Sequence, residues 1–290
     1  MRRALLLAAS ALLLAAAGIP AVEADGAGAH SPAAVRAHQA IVGGAAAPAG
    51  ALPYVAEVID ALGKREVGLC TGTVVAPTLI LTAGHCAENL RTGTPNAAAG
   101  YTVLTEGAGG NPAERQVSTV SGVIVYEGFR RKVDAGDAAL LVLTTPTTAP
   151  AIALASSDAG ALRAGSTATM AGFGDTFYGQ RAPTRAVHQA ATVVQGERWC
   201  QRNAPPFYAD EEICTIDAPR EATGVCFGDS GGPLLSTNGS GEAVEIGIAV
   251  HVYGKCSTRH PSVFTRVDRI AAWVDSWIAA YRSPPSSPAA

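Results

Sequence analysis

Short strand-like runs, each closed off by Gly, Pro or Asn, recur along most of this chain: Leu52–Ile59, Gly72–Leu81, Val117–Val125, Ala138–Leu143, Thr167–Ala171, Ala186–Val194, Gly232–Leu235, Val244–His251 and Ser262–Arg266. Such runs between turn formers fit pleated, half-buried strands, so the pattern predicts an all-β fold, either a sandwich or a barrel. One segment departs from it. Between Asp268 and Tyr281, the residues Ile270, Trp273, Val274, Trp277 and Ile278 fall at helical spacing. They predict an amphipathic C-terminal helix that packs on the sheets, with both tryptophans as core anchors. A chain of 290 residues can bury a sizeable core as one large domain or two small ones, without a metal or a partner subunit, and a monomer is expected.

A net charge of −3 with 16% charged residues offers no electrostatic footprint for nucleic acid or an anionic membrane, so neither is expected as a partner. Arg2 and Arg3 precede an Ala/Leu run from Ala4 to about Ile19, followed by Pro20 and small residues. This predicts a signal peptide over residues 1–24 and a secreted, extracellular protein. The alternative is a membrane anchor, because the run approaches the roughly 20 residues that span a bilayer. Its many alanines make a poor permanent span, so no stable anchor is expected. Residues 25–40, rich in Ala, Gly, Pro and His, suit a flexible pro-segment, and the Ser/Pro/Ala tail over 283–290 suits disorder. The six cysteines agree with export and suggest disulfides, although six permit fifteen connectivities. There is no paired Cys-x-x-Cys or His-x-x-x-His spacing to suggest zinc, and no metal or other cofactor is expected.

Gly228-Asp229-Ser230-Gly231-Gly232-Pro233 offers a serine hydroxyl in a glycine-rich turn, where backbone N–H groups can converge on a reacting carbonyl. A serine hydroxyl is a weak nucleophile at neutral pH and needs a general base, which in turn needs a group to orient it. Leu81-Thr82-Ala83-Gly84-His85-Cys86 supplies an imidazole. Gly136-Asp137-Ala138-Ala139-Leu140-Leu141 supplies a carboxylate at the head of an apolar run. Each piece alone has a plainer reading: a turn, a core histidine, the start of a strand. Together, in the order His85, Asp137, Ser230, they point to nucleophilic catalysis.

With Ile41-Val42-Gly43-Gly44, Gly172-Phe173-Gly174, and Gly247-Ile248-Ala249 followed by Cys256, these boxes make the chain resemble the trypsin/chymotrypsin-like serine protease family from Ile41 to about Tyr281. The resemblance implies two packed six-stranded antiparallel β-barrels, about 41–155 and 156–267, followed by the helix at 268–281. It implies a serine endopeptidase acting on polypeptide substrates, with Ser230 as nucleophile, His85 as base and Asp137 orienting it, and with the N–H groups of Gly228 and Ser230 facing the oxyanion. It also implies the pairs Cys70–Cys86, Cys200–Cys214 and Cys226–Cys256, each worth about 3–4 kcal/mol in a chain-entropy account.

By the same resemblance, an activating protease cleaves before Ile41, and the new α-amino group pairs with Asp229. Relatives usually carry Arg or Lys before that bond, whereas this chain has Gln39-Ala40, which suits an activator that accepts small residues. The primary specificity pocket has Gly224 at its base beside Val225, Val252 on one wall and Ser262 on the other, with Phe227 near its mouth. Without a carboxylate at the base, a buried substrate Lys or Arg would go unpaired, and Val252 narrows the opening. Small or medium apolar side chains are therefore expected there. Two departures affect the triad and the substrate strand. Val250 stands where a serine usually supports the triad carboxylate, and His251 replaces a usual tryptophan. Val250–Val252 can still pair with an extended peptide through main-chain groups. The alternative function is a catalytically weak or silent protease-like binding protein.

Overall fold

The computed structural model describes residues 41–62, 65–87, 101–105, 115–156, 162–180 and 186–282. The expected signal peptide (1–24), pro-segment (25–40) and tail (283–290) lie outside the described residues. Strands β2 (Val55–Leu62), β3 (Arg65–Ala76), β4 (Leu79–Thr82), β5 (Tyr101–Thr105), β6 (Gln116–Val125) and β7 (Ala139–Leu143) follow a short β1 (Ala45–Ala46) and close a barrel in the order β2-β3-β4-β7-β6-β5. Closure comes from the antiparallel pairing of β5 back onto β2, where Val58 sits opposite Val103. Every residue of β4 and β7 is buried. Their unbroken apolar sequences fit that position, since neither face meets water.

A two-residue strand, β8 (Ala153–Leu154), follows the first barrel. β9 (Thr167–Gly172), β10 (His188–Val194), β11 (Glu212–Ile216), β12 (Pro233–Thr237), β13 (Ala243–His251) and β14 (Ser262–Arg266) then form the second. The order is β9-β10-β11-β14-β13-β12, and β12 pairs with β9 to complete the ring. β1 adds to β10, and β8 lies parallel to β13. The structure thus has two closed six-stranded antiparallel barrels, which leave few sheet edges exposed.

Several local expectations need correction. The predicted strand Gly72–Leu81 is two strands with a turn at Pro77 and Thr78, because proline has no N–H to continue the ladder. The predicted starts at Leu52 and Ala186 belong to turns, and the strands begin at Val55 and His188. β5 and β11 carry too weak an apolar signal to stand out; in β11, Glu212 and Thr215 are buried although polar. A helix α2 (Glu197–Asn203) was also not expected, being too short to show periodicity.

The C-terminal helix, α3 (Val267–Arg282), begins directly after β14, with Asp268 in its first turn and Arg282 in its last, both favourable to the helix dipole. Val267, Ile270 and Val274 are buried, while Trp273, Trp277 and Ile278 pack half-buried on the same core cluster as the first barrel. Tyr126 meets Trp273 edge-on at 5.3 Å. The helix continues from the second barrel, and its apolar face joins a core cluster to which both barrels contribute, so it packs where the two meet.

A polar contact also crosses the seam. Thr73 in β3 donates to Glu245 in β13 at 2.6 Å, with both residues buried. Burial pushes the Glu245 carboxyl up to about 8, and burial together with Glu245 pushes the Tyr54 phenol up to about 12. A carboxyl whose folded pKa lies above its unfolded value stabilises the fold fully below the unfolded value, and that contribution is lost as pH rises through the folded one. Glu245→Gln should therefore flatten the fall in stability between about pH 4.5 and 8, removing a slope of up to about 1.4 kcal/mol per pH unit. Urea unfolding midpoints across that range would check this; an unchanged slope would mean that the carboxyl does not titrate there.

Candidate active site

His85 sits on α1 (Gly84–Ala87), a single turn after β4. Asp137 ends the loop before β7, and Ser230 lies in the turn before β12. Asp137 is fully buried and faces His85 with both oxygens: Oδ2 lies 2.6 Å from the imidazole Nδ1, and Oδ1 accepts the His85 backbone N–H at 2.8 Å. The carboxylate thereby fixes the ring's orientation and leaves Nε2 directed away from it. Cys86 Sγ, bonded to Cys70, lies 3.7 Å from His85 Nε2 and 3.7 Å from the Ser230 carbonyl oxygen. One sulfur thus touches both the imidazole edge and the serine backbone. The Ser230 hydroxyl makes no hydrogen bond among the described residues. Contacts of this kind commonly tighten only when substrate is bound.

The turn around Ser230 is pinned by its neighbours. Asp229 N–H donates to Cys226 O, Gly231 N–H to Ala249 O, and Gly232 N–H to Asp229 O. The N–H groups of Gly228 and Ser230 have no acceptor among the described residues. Gly228 has a φ of 92°, a conformation that a side chain would resist. Thr71, reaching over from β3, holds the same turn: its Oγ1 donates to Gly228 O at 2.9 Å and accepts Phe173 N–H at 3.1 Å, and its N–H donates to Ser230 O at 2.8 Å.

Asp229 is fully buried beneath this turn. Its Oδ1 accepts Gly174 N–H at 2.9 Å, its Oδ2 accepts Cys226 N–H at 2.8 Å, and Ile41 N–H also donates to it. A Cβ on Gly174 would lie 2.4 Å from Asp229 N, and one on Gly172 would lie 2.2 Å from Asp229 Oδ1. The Gly172-Phe173-Gly174 segment therefore lets the chain pass close to this carboxylate. Burial pushes Asp229 up to about 7, against the opposing effect of the three N–H donors. Ile41 is itself fully buried, with a φ of 57° that a β-branched side chain rarely adopts, and Val42 pairs with Gly224 through two backbone bonds.

Gly224, Val225 and Ser262 come together: Val225 N–H donates to Ser262 Oγ at 3.2 Å, and a Cβ on Gly224 would meet Ser262 Oγ at 3.7 Å. Val252 packs half-buried on the second core, and the Cys226–Cys256 bridge ties the two sides. The remaining cystine, Cys200–Cys214, joins α2 to β11. Phe227 is half exposed. Val250 is buried and brings no polar atom to Asp137, so His85 alone occupies the two carboxylate oxygens; Thr265 Oγ1 donates to the Asp137 carbonyl at 3.0 Å instead. His251 Nδ1 lies 4.0 Å from Asp134 Oδ2, and burial lowers its pKa against the pull of Asp134 and Asp137. Thr71, Thr265 and Asp134 could not be found from sequence, because single threonines and a loop aspartate carry no local motif. The one group of three potential metal donors among the described residues, Cys70, His85 and Cys86, has its two sulfurs joined to each other, which leaves too few ligands for a metal site.

A sequence model of the family described as Trypsin matches residues 41–274. The chain belongs to the trypsin family. Among similar trypsin-family proteins, "Trypsin" of Saccharopolyspora erythraea is 28% identical over 229 residues, which cover 78% of this chain and 93% of that protein. "Serine protease 56" of Homo sapiens is 30% identical over 263 residues, covering 86% of this chain and 40% of that longer protein. "Glucanase inhibitor protein 3" of Phytophthora infestans is 24% identical over 237 residues, covering 81% and 87%. The solved structure "Structure of GrC" superposes with a TM-score of 0.68 at 23% identity, over 82% of this chain and 100% of that one, a likeness of fold.

Thr71→Val keeps the shape but strands the Gly228 carbonyl and the Phe173 N–H in a buried setting. It should destabilise the protein by roughly 2–4 kcal/mol, whereas Thr71→Ser keeps both bonds. Chemical denaturation of the two variants would check this, and equal stability of Thr71→Val and the parent would refute the strut.

Proposed function

We propose that this trypsin-family chain is a secreted serine endopeptidase, made as a precursor and activated by cleavage before Ile41, that hydrolyses peptide bonds through Ser230, His85 and Asp137. The observation that carries the reading is the pair of N–H groups on Gly228 and Ser230, which have no acceptor among the described residues, while the N–H groups of Cys226, Asp229, Gly231 and Gly232 in the same turn are bonded. Two unbonded donors beside a serine hydroxyl suit the oxygen of a tetrahedral intermediate, and losing one such donor typically costs about 3 kcal/mol in the barrier.

In this reading the Ser230 hydroxyl attacks the substrate carbonyl carbon and its proton passes to His85 Nε2. The intermediate collapses as that proton goes to the leaving amine, giving an acyl-enzyme; water then repeats the sequence and frees the acid. Asp137, bonded to Nδ1, holds the imidazole for both transfers and stabilises its charged form. Gly224 and Val252 favour small or medium apolar side chains in the primary pocket, with selectivity of about 1–3 kcal/mol per methylene. Three disulfides favour export to an oxidising compartment.

Activation draws support from Ile41 and Asp229. In the continuous chain Ile41 offers Asp229 only an amide N–H, and the left-handed φ at Ile41 exists only while residue 40 is attached. Hydrolysis of the Ala40–Ile41 bond would release that strain and supply an ammonium ion to a buried carboxylate that has no cation partner among the described residues.

A fluorophosphonate probe should label the chain after cleavage before Ile41, label the uncleaved chain far more slowly, and fail to label Ser230→Ala. Absence of labelling after cleavage would favour the silent binding protein, a reading to which the likeness to "Glucanase inhibitor protein 3" lends support. Asp229→Asn should fold as a precursor yet lose at least about a hundredfold in activity once cleaved, because it leaves the new ammonium unpaired. The α-amino group pairs while charged, so its folded pKa lies above the ordinary value near 8. Its contribution is complete below about pH 8 and lost as pH rises through the folded value. A pH–rate profile flat to about pH 11 would contradict the ion pair.

A further inference from the structure

Five large apolar side chains are exposed among the described residues, and three of them, Phe177 (48%), Tyr178 (52%) and Phe227 (52%), belong to two segments that meet beside the Ser230 turn. The rings of Tyr178 and Phe227 lie 5.9 Å apart, and Lys255 Nζ stands 5.2 Å over the Tyr178 ring. Exposed aromatics gathered in one place mark contact surfaces.

Both sides of this patch are held in place. The Gln180 side chain closes the 176–180 turn by accepting Thr176 N–H at 2.8 Å and Thr176 Oγ1–H at 2.9 Å. Asp175 N–H donates to Phe227 O at 2.6 Å and docks the loop on the Ser230 segment. On the far side, Gly254, Lys255 and Cys256 run consecutively through left-handed φ values of 53°, 60° and 61°, and Cys256 is bonded to Cys226, the residue before Phe227. A side-chain-locked turn and a disulfide-anchored loop together hold the rings and the lysine toward solvent. The charge is one-sided: no Asp or Glu occurs between His251 and Val267, while Lys255 and Arg259 are both exposed. Asp175 is the one acid on the opposite turn, and it is half-buried at its base.

We propose that Phe177, Tyr178 and Phe227, with Lys255 at their rim, form an extended binding surface for polypeptide substrates that takes an apolar side chain followed by an acidic one, outside the residue filling the primary pocket. This rests on the endopeptidase reading, and it confers a preference among long polypeptides that short substrates cannot reveal. The rings supply apolar contact at little entropic cost, and the lysine selects the neighbouring carboxylate.

Binding of fluorescein-labelled ten-residue peptides to the Ser230→Ala protein cleaved before Ile41, followed by fluorescence anisotropy, tests the surface without chemistry. Peptides share the residues around the scissile position and carry Leu-Asp, Leu-Lys or Gly-Ser in the flanks. The Leu-Asp peptide should bind about tenfold more tightly than the Gly-Ser peptide. Tyr178→Ser should bring that ratio close to one, and Lys255→Glu should turn the preference from Leu-Asp to Leu-Lys, which a merely structural lysine would not do. Equal affinities for all three peptides, or ratios unmoved by both substitutions, would overturn the proposal. Failure of the endopeptidase reading appears separately, as absence of fluorophosphonate labelling in the cleaved protein that retains Ser230.

Discussion

A fully buried carboxylate, Asp229, organises the centre of this molecule. Removing an acid from water is unfavourable unless donors surround it, and here three backbone N–H groups from three distant parts of the chain converge on it: Gly174, Cys226 and Ile41. Each donor fixes a piece of the site. Gly174 brings in the loop that carries Phe177 and Tyr178, Cys226 brings in the segment that follows Gly224 and Val225, and Ile41 brings in the first described residues. The Ser230 turn sits directly above. Even with these donors, burial leaves the acid raised to about 7, and the proposed cleavage before Ile41 would bring an ammonium ion that favours its ionised form.

The second requirement is that two barrels be held in fixed relation, since His85 and Asp137 belong to the first and Ser230 to the second. Three contacts of different character meet that requirement. Thr71 reaches from β3 to the Gly228 carbonyl, Thr73 reaches from the same strand to Glu245, and α3 buries Ile270 and Val274 in a core cluster that both barrels share. The apolar strap resists separation, and the two threonines set register. Glu245 makes this seam sensitive to pH, because its burial is tolerable only while it keeps its proton.

Around this frame a few side chains tune the site and leave the frame intact. Val250 gives Asp137 no hydrogen bond, yet Thr265 anchors the aspartate's backbone, so the carboxylate keeps its aim on His85. His251 places a titratable ring near Asp134. The rings of Phe177, Tyr178 and Phe227 then present apolar surface beside the Ser230 turn.

The barrels were legible as β structure from the alternation of short apolar runs with turn residues, and α3 from the spacing of Ile270, Val274 and Trp277; both periodicities are local. The boxes around His85, Asp137 and Ser230 were legible because glycine and cysteine must flank those groups within a few residues. The two barrels themselves, and the cysteine pairs, came from family resemblance, since neither follows from spacing. Only the tertiary structure decided what depends on distant segments meeting. Thr71 and Ser230 lie far apart in sequence, β5 and β11 are strands because their neighbours pair with them, and Phe227 meets Tyr178 only when two loops close. Sequence fixes chemistry and local period, whereas contacts between remote residues arise from closing the barrels, which no single segment encodes.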